Sequence, residues 1–223
     1  MRILFSFCLL IYSFGLNAQG QFLGFKGGLS WTDITSSNFI KDRDFRFGNT
    51  FGLTYDSRIK DHLTYGIELI YNQRGFSSKL NLNEIYGGQE AKNDKLEFNY
   101  NYISLPIKVG FDYGHRLFAL AHLGLAPSVL IKAQESFPTI IVESIVIPAK
   151  QTNVTGRANR FDLAAILDLG AGYKLHNNSF VFASFSFLRS LNSITNKYYY
   201  EGRNIKHYGF MFNVGLKFEL TRD

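Results

Sequence analysis

The fold is decided by residues 45–56, whose sequence is FRFGNTFGLTYD. Successive side chains of a β-strand point to opposite faces, so alternate letters describe two different surfaces. The odd-numbered positions are aromatic or aliphatic apart from Asn49, and the even-numbered positions are glycine, hydroxyl or charged residues. Such a strand suits a transmembrane β-barrel, which has lipid outside and a polar interior.

Seven further stretches alternate in the same way, and Val, Ile, Leu, Phe and Tyr dominate all of them. Helical periodicity is hard to find after the first residues. We therefore predict an all-β fold, an eight-stranded antiparallel up-and-down transmembrane β-barrel in the size class of OmpA and OmpX. The predicted strands are Gln21–Trp31, Phe45–Asp56, His62–Arg74, Tyr102–Tyr113, Leu117–Ile131, Arg160–Tyr173, Phe180–Leu188 and His207–Leu220.

Residues 1–18 have the form of a secretory signal peptide. Arg2 precedes a mostly apolar run from Ile3 to Leu16, and small or neutral residues lead to a predicted cleavage after Ala18. The run is short for a membrane anchor, which needs about 20 residues. We expect residues 19–223 to form the barrel domain, without the single cysteine, Cys8, and therefore without disulfides or thiolate metal sites.

The connections between predicted strands alternate between long and short. Gaps of 13, 27, 28 and 18 residues follow strands one, three, five and seven, and gaps of 5, 3 and 6 follow the others. Outer-membrane barrels have long outer loops and short periplasmic turns, so the pattern predicts an outer-membrane protein with both termini in the periplasm. Thr139–Pro148, in the third long gap, is strand-like. We favour a hairpin above the membrane there over an extra strand pair in the wall.

Several short motifs are similar to one known group. They are GFKGGLS at residues 24–30, YISLP at 102–106, and Phe161-Asp162 followed by GAGY at 170–173. The chain resembles the PorT-type porin-like outer-membrane β-barrel family, which is common in Bacteroidota. The resemblance implies an integral outer-membrane barrel but no defined activity, because the group is functionally mixed. One branch serves a secretion apparatus, and no residue here singles out that branch.

Charged residues of the predicted inner face form the first candidate site. Because buried charges require partners, we expect a polar network that fills the lumen. The alternative is a polar path for small ions or protons. The network residues are Lys26, Arg46, Glu68, Lys108, Asp162, Asp168, Lys217 and Glu219.

Aromatic residues near the strand ends form the second candidate set. We expect them at the two lipid–water interfaces, where an apolar ring with a polar edge is favoured. They are Trp31, Phe45, Tyr55, Tyr65, Tyr71, Tyr113, Phe161, Tyr173, Tyr208 and Phe218.

No motif indicates an enzyme, a cofactor site or a metal site. His122 and Ser128 share the inner face of one strand, but six residues at about 3.3 Å each hold them near 20 Å apart. The other histidines, His207 among them, fall at predicted strand ends or turns. No Gly-x-Ser-x-Gly or His-Glu-x-x-His pattern occurs.

We expect a structural or interaction role through the long outer loops. The alternatives are a narrow porin-like pore, a component of an outer-membrane secretion apparatus and a secreted lipocalin-like carrier. Expected partners are outer-membrane lipid and lipopolysaccharide, the barrel-assembly machinery and an unidentified surface partner. Nucleic acid is not expected, because the formal net charge is only +6 and the basic residues are scattered.

Overall fold

The computed structural model describes residues 20–35, 42–59, 62–79, 95–142, 145–175, 178–196 and 203–220. The predicted signal peptide lies outside these described residues. Within them, no helix is long and apolar enough to cross a membrane. The strands are β1 (Gly20–Thr35), β2 (Arg43–Arg58), β3 (Leu63–Lys79), β4 (Lys95–Ser104), β5 (Ile107–Gly114), β6 (Leu117–Phe137), β7 (Ile140–Val142), β8 (Ile145–Ile147), β9 (Lys150–Asn153), β10 (Phe161–Lys174), β11 (Ser179–Ser190) and β12 (Lys206–Leu220).

Eight antiparallel wall strands close into a ring, and we call each of them a stave. The staves are β1, β2, β3, β4 with β5, β6, β10, β11 and β12. β1 pairs with β2 on one side and with β12 on the other, from Gln21–Leu220 to Thr35–Lys206. β12 then pairs with β11, β11 with β10, and β10 with β6, and β6 returns to β3 through β4 and β5. This ring confirms the predicted eight-stranded up-and-down barrel.

One stave is interrupted, although the sequence predicted a single strand over Tyr102–Tyr113. The break between β4 and β5 falls at Leu105-Pro106, because proline has no N–H to donate to a neighbouring strand. Hydrogen bonds bridge the break: Glu68 N donates to Pro106 O at 2.9 Å, and Leu105 N donates to Pro127 O at 2.8 Å. β4 and β5 both pair with β3 and β6, so the wall stays continuous.

The two faces of each stave differ as the alternation predicted. On β2, Phe51 and Leu53 are 56% and 57% exposed, whereas Thr50 and Thr54 are 2% and 1% exposed. Large apolar side chains therefore cover the outside, while hydroxyl and charged side chains are enclosed. A lipocalin-like carrier requires the reverse arrangement, an apolar cavity inside a polar surface.

Several wall strands are longer than predicted: β1 continues past Trp31 to Thr35, and three others show the largest extensions. β3 continues past Arg74 to Lys79, β4 begins at Lys95 rather than Tyr102, and β6 continues past Ile131 to Phe137. These extensions pair with one another, for example Phe76 with Phe98 and Phe98 with Glu135. Their outer faces carry polar residues such as Glu97 and Lys132, so an apolar outer face could not reveal them.

The ring therefore has two unlike ends. At the short-turn end, β2 joins β3, β5 joins β6 and β10 joins β11 through brief connections, and Gly20 and Leu220 lie there as well. Gly114, with a φ of +128°, makes one of these turns, and a Cβ on it would lie 2.2 Å from Leu117 O. At the long-loop end, β7 and β8 form a two-stranded sheet of their own, which confirms a hairpin over Thr139–Pro148 instead of extra wall strands.

The outer face generates the first prediction. Leu69 is half exposed and lies on β3 between the outward-facing Tyr65 and Tyr71. Leu69→Arg should reduce the free energy of unfolding in lipid bilayers by about 2–4 kcal/mol, because a midplane cation loses its hydration. Urea titration in liposomes measures this change. Tyr113→Arg, at the short-turn end, is the control and should cost about 0–1 kcal/mol. Equal costs at the two positions would contradict the assigned lipid face.

Candidate functional site: the polar interior

Four charged side chains meet inside the barrel and form what we call the central quartet: Lys26, Glu68, Lys108 and Asp168. Lys26 Nζ lies 2.9 Å from Glu68 Oε2, and Lys108 Nζ lies 2.6 Å from Glu68 Oε1. Lys108 Nζ also lies 2.7 Å from Asp168 Oδ2, and the Ser186 hydroxyl donates to Asp168 Oδ1 at 2.7 Å. Two lysines and two carboxylates give the quartet no net charge.

Glycines make room for both lysines of the quartet. Residues directly opposite each other on paired strands point to the same face. Lys26 lies opposite Gly52 and Gly215, and Lys108 lies opposite Gly66 and Gly124. Each long side chain therefore crosses the lumen over neighbours that have no side chain.

Burial makes the pairing within the quartet obligatory. All four side chains are at most 5% exposed. A buried charge that loses its partner costs about 3–5 kcal/mol, whereas an intact buried pair adds little net stability. The quartet therefore adds little to the free energy of unfolding. Its main effect is to favour the one arrangement of staves in which all four charges are paired.

Towards the long-loop end, a second polar cluster surrounds Arg74. Its Nη1 forms an ion pair with Asp162, and its Nη2 donates to Ser128 Oγ at 3.1 Å and to Ser104 Oγ at 3.3 Å. The guanidinium also lies over the ring of Tyr102, with 4.6 Å between Cζ and the ring centroid. The arginine and its partners fasten β3, β4, β6 and β10 to one another across the lumen.

Towards the short-turn end, two further pairs occupy the interior. Lys217 Nζ lies 2.7 Å from Asp56 Oδ2, and His122 Nε2 lies 2.9 Å from Asp112 Oδ1. Gly66 leaves space for the first pair, since a Cβ on it would lie 2.3 Å from Asp56 Oδ1. These pairs and the central quartet account for most of the buried charge in the described part of the lumen.

An apolar cluster fills the lumen above Arg74. Inward side chains of the extended staves, among them Ile34, Phe76 and Tyr100, pack with residues from two connections that fold inward. We call these connections the cap, residues 154–160 and 191–196. Backbone bonds tie the cap together: Asn159 N donates to Ile194 O at 2.8 Å, and Ile194 N donates to Ile205 O at 2.8 Å.

The eight network residues predicted from the sequence do not form one network. Four make the central quartet, while Asp162 and Lys217 belong to the separate clusters of Arg74 and Asp56. Arg46 is only half-buried, near a register shift in β2, and its Nε lies 3.8 Å from a carboxylate oxygen of the exposed Glu97. Glu219 lies at the opening of the short-turn end. The polar side chains of the lumen therefore form separate clusters at different heights along the barrel axis, because charges far apart along the axis cannot reach one another.

Sequence reasoning missed several residues that belong to the interior. Arg74 and Asp56 share the parity of Glu68 and Thr54 on their strands, so the alternation could have found both. His207 lies at a strand end as predicted, since β12 begins at Lys206, but it is not an interfacial residue: it is fully buried, with its ring 5.0 Å from that of Tyr100. His122 and Ser128 bind different partners, as their separation required.

The predicted interface aromatics lie on the outer surface. Phe45, Tyr113, Phe161, Tyr173 and Phe218 are exposed, and the other five are half-buried. Several pack against outward neighbours, as in the contacts Trp31–Phe47, Phe45–Tyr208 and Phe51–Tyr71. Their role at the lipid–water interface remains a prediction.

The closed ring, apolar outside and charged inside, defines a transmembrane β-barrel protein. The chain matches the family model of the outer membrane protein beta-barrel domain over residues 17–196. It therefore belongs to this family, whose members are proteins of the outer membrane. No curated protein matches the chain.

Solved structures with the same fold share little sequence with the chain. OprG, an outer membrane protein of Pseudomonas aeruginosa, is 11% identical with a TM-score of 0.51, covering 92% of this chain and 98% of OprG. A major outer membrane protein of Thermus thermophilus is 9% identical with a TM-score of 0.50, covering 91% and 100%. The outer membrane protease OmpT of Escherichia coli is 12% identical with a TM-score of 0.46, covering 91% and 97%. The likenesses to OprG and to the Thermus thermophilus protein show the fold alone.

The chemistry of the interior is that of paired charges. Among the described residues, no group of three or more His, Cys, Asp or Glu side chains is placed to hold a metal ion. Each described carboxylate of the central quartet is held by a lysine or a hydroxyl.

The quartet generates the second prediction. Lys108→Met leaves Glu68 and Asp168 with one lysine between them and should destabilise the barrel by about 3–5 kcal/mol. Adding Asp168→Asn should recover part of this loss, because one uncompensated charge is then removed. The measurement is urea-induced unfolding in bilayers. Lys95→Met removes the exposed pair with Asp44 and is the matched control, expected to unfold like the wild type. An unaltered midpoint for Lys108→Met would refute the obligatory pairing.

Proposed function

We propose that the protein is a closed outer-membrane barrel that has a structural or interaction role through its long outer loops. The observation that carries the proposal is obstruction of the lumen at two levels. The central quartet crosses the interior between β1, β3, β5 and β10, and the cap closes the long-loop end with apolar side chains. An eight-stranded barrel is only wide enough for such side chains to fill it.

The outer loops are the proposed contact region. Binding residues concentrate on loops that a rigid scaffold positions, and the long connections of this barrel share one end. We propose outer-membrane lipid and lipopolysaccharide as the surroundings of the wall, the barrel-assembly machinery as the transient partner during insertion, and an unidentified surface molecule as the partner of the loops. We also propose that the protein is not an enzyme, because the buried histidines lie in packed clusters apart from any serine nucleophile.

The finer family placement is also a proposal. Three motifs that resemble the PorT-type group have structural roles here: Lys26 of GFKGGLS enters the quartet, Pro106 of YISLP breaks a stave, and Gly172 of GAGY lies beside Phe118. These roles support placement in the PorT-type, Bacteroidota group. A part in a secretion apparatus is the second function that this placement suggests.

Conductance separates the closed barrel from the narrow pore. Purified wild-type protein in a planar lipid bilayer should carry no steady ion current, because the quartet and the cap obstruct the lumen. An open porin inserted under the same conditions is the positive control. Steady, reproducible current steps that scale with salt concentration would favour the porin-like alternative and overturn the closed-lumen proposal.

Cysteine labelling tests the proposed orientation, with cleavage after Ala18 and both termini in the periplasm. Cys8 lies in the predicted signal peptide, so one introduced cysteine would be the only thiol of the exported chain. A membrane-impermeant maleimide should label Val146→Cys, on the exposed β7–β8 hairpin, in intact cells. It should label His115→Cys, in an exposed short turn, only after lysis. The opposite pattern would reverse the orientation.

A further inference from the structure

The short-turn end holds a cavity that the central quartet and the cap do not use. Its volume is about 700 Å³, within the range of small-molecule sites, and we call it the vestibule. Staves β1, β2, β5, β6, β10, β11 and β12 all contribute to its lining. Most of its lining comes from strands of the ring, and His115, Arg116 and Leu175 belong to two short turns at its opening.

Three phenylalanine side chains form one side of the vestibule, which we call the phenylalanine floor: Phe22, Phe118 and Phe180. The Phe22 and Phe180 rings pack edge-to-face with centroids 5.3 Å apart, and Phe118 contacts Phe180 at 6.0 Å. Phe22 and Phe180 are buried although they face the lumen. They give the short-turn end of the lumen an apolar surface that can receive part of a ligand.

Three cations line the same cavity and form what we call the cationic rim: Arg58, Arg116 and Lys174. Arg58 Cζ lies 5.4 Å from the Phe22 ring centroid, and Lys174 Nζ lies 5.4 Å from that of Phe180. Arg116 lies over Tyr173, with its Cζ 5.2 Å from the ring centroid. Arg58 and Lys174 therefore adjoin the floor, whereas Arg116 adjoins the outward-facing Tyr173 at the edge of the cavity.

The carboxylates of the vestibule neutralise its cations only in part. Asp56 is bound by Lys217, and Asp112 accepts from His122 at Oδ1 and from the Thr64 hydroxyl at Oδ2. Glu219 is the remaining carboxylate of the lining. Among the described residues, the three rim cations make no ion pair, and Arg58 Nε is buried without a hydrogen-bond partner. With Asp56 paired to Lys217, Asp112 and Glu219 remain opposite the three rim cations, so the lining keeps an excess of one positive charge.

We propose that the vestibule binds an amphipathic organic anion, with its phosphate or carboxylate on the cationic rim and its apolar part on the phenylalanine floor. A guanidinium and an ammonium that lie over two contacting rings of the floor suit an oxyanion, since both donate charge-assisted hydrogen bonds. The floor excludes water beneath the anion and strengthens this attraction. The anion is either a soluble metabolite-sized molecule or the head group of a lipid at the rim. This site is independent of the role proposed for the outer loops.

Phenyl phosphate is the probe, because it combines a dianionic group with one aromatic ring. Wild-type protein in phosphatidylcholine nanodiscs should bind it saturably in calorimetric titrations, and empty nanodiscs give the blank. Arg58→Gln and Lys174→Gln should each weaken binding about tenfold, the effect of losing one charge-assisted hydrogen bond. Lys150→Gln neutralises an exposed cation at the long-loop end and should bind like the wild type. A heat-dependent electrophoretic shift verifies that every variant is folded.

Two further arms test the floor and the source of the anion. Inorganic phosphate should bind more weakly than phenyl phosphate, because it gains nothing from the phenylalanine floor. In phosphatidylglycerol nanodiscs, weaker apparent binding of the probe supports a lipid head group as occupant, and unchanged binding supports a soluble anion. The proposal is overturned if wild-type protein shows no saturable binding beyond the blank, if Lys150→Gln weakens binding as much as Arg58→Gln, or if the two phosphates bind equally.

Discussion

The structure depends on the ladder that joins β1 to β12. Hydrocarbon offers no hydrogen-bond partner, so an open sheet in a bilayer would leave two edges of unpaired backbone groups. Pairing from Gln21–Leu220 to Thr35–Lys206 removes both edges. Closure also creates an interior narrow enough that enclosed charges must find partners among themselves. The central quartet and the Arg74 cluster are consequences of this closure.

The wall strands could be predicted from the sequence because their outer faces must suit lipid. The contacts between inward side chains could not, because they depend on how the strands are aligned with one another. An outer face that tolerates only apolar residues gives each spanning strand a signature, so the alternation located the staves and the inward position of Lys26 and Lys108. It could not pair Lys26 with Glu68, which is 42 residues away in sequence. That contact depends on the relative stagger of β1 and β3 and on the glycines opposite the lysine, and neither is a property of one strand.

The errors lie where the surroundings change from lipid to water. β3, β4 and β6 extend beyond the apolar band, so Lys79, Lys95 and Phe137 fall on strand ends that alternation could not reach. His207 does lie at a strand end, but no feature of the sequence indicated its burial. Its ring packs against Tyr100 and Tyr102, two members of the apolar cluster that the cap completes. The cap connections thus contribute side chains to the core at the long-loop end and are not only surface loops.

The β7–β8 hairpin has a different relation to the fold. Its strands pair only with each other among the described residues, and Val146 and Ile147 are exposed. The eight-stave ring and its enclosed charges therefore gain nothing from the identity of these residues. Selection can therefore alter this projection without changing a ladder of the ring, so among the described connections it is suited to diversification and to the insertion of a displayed peptide.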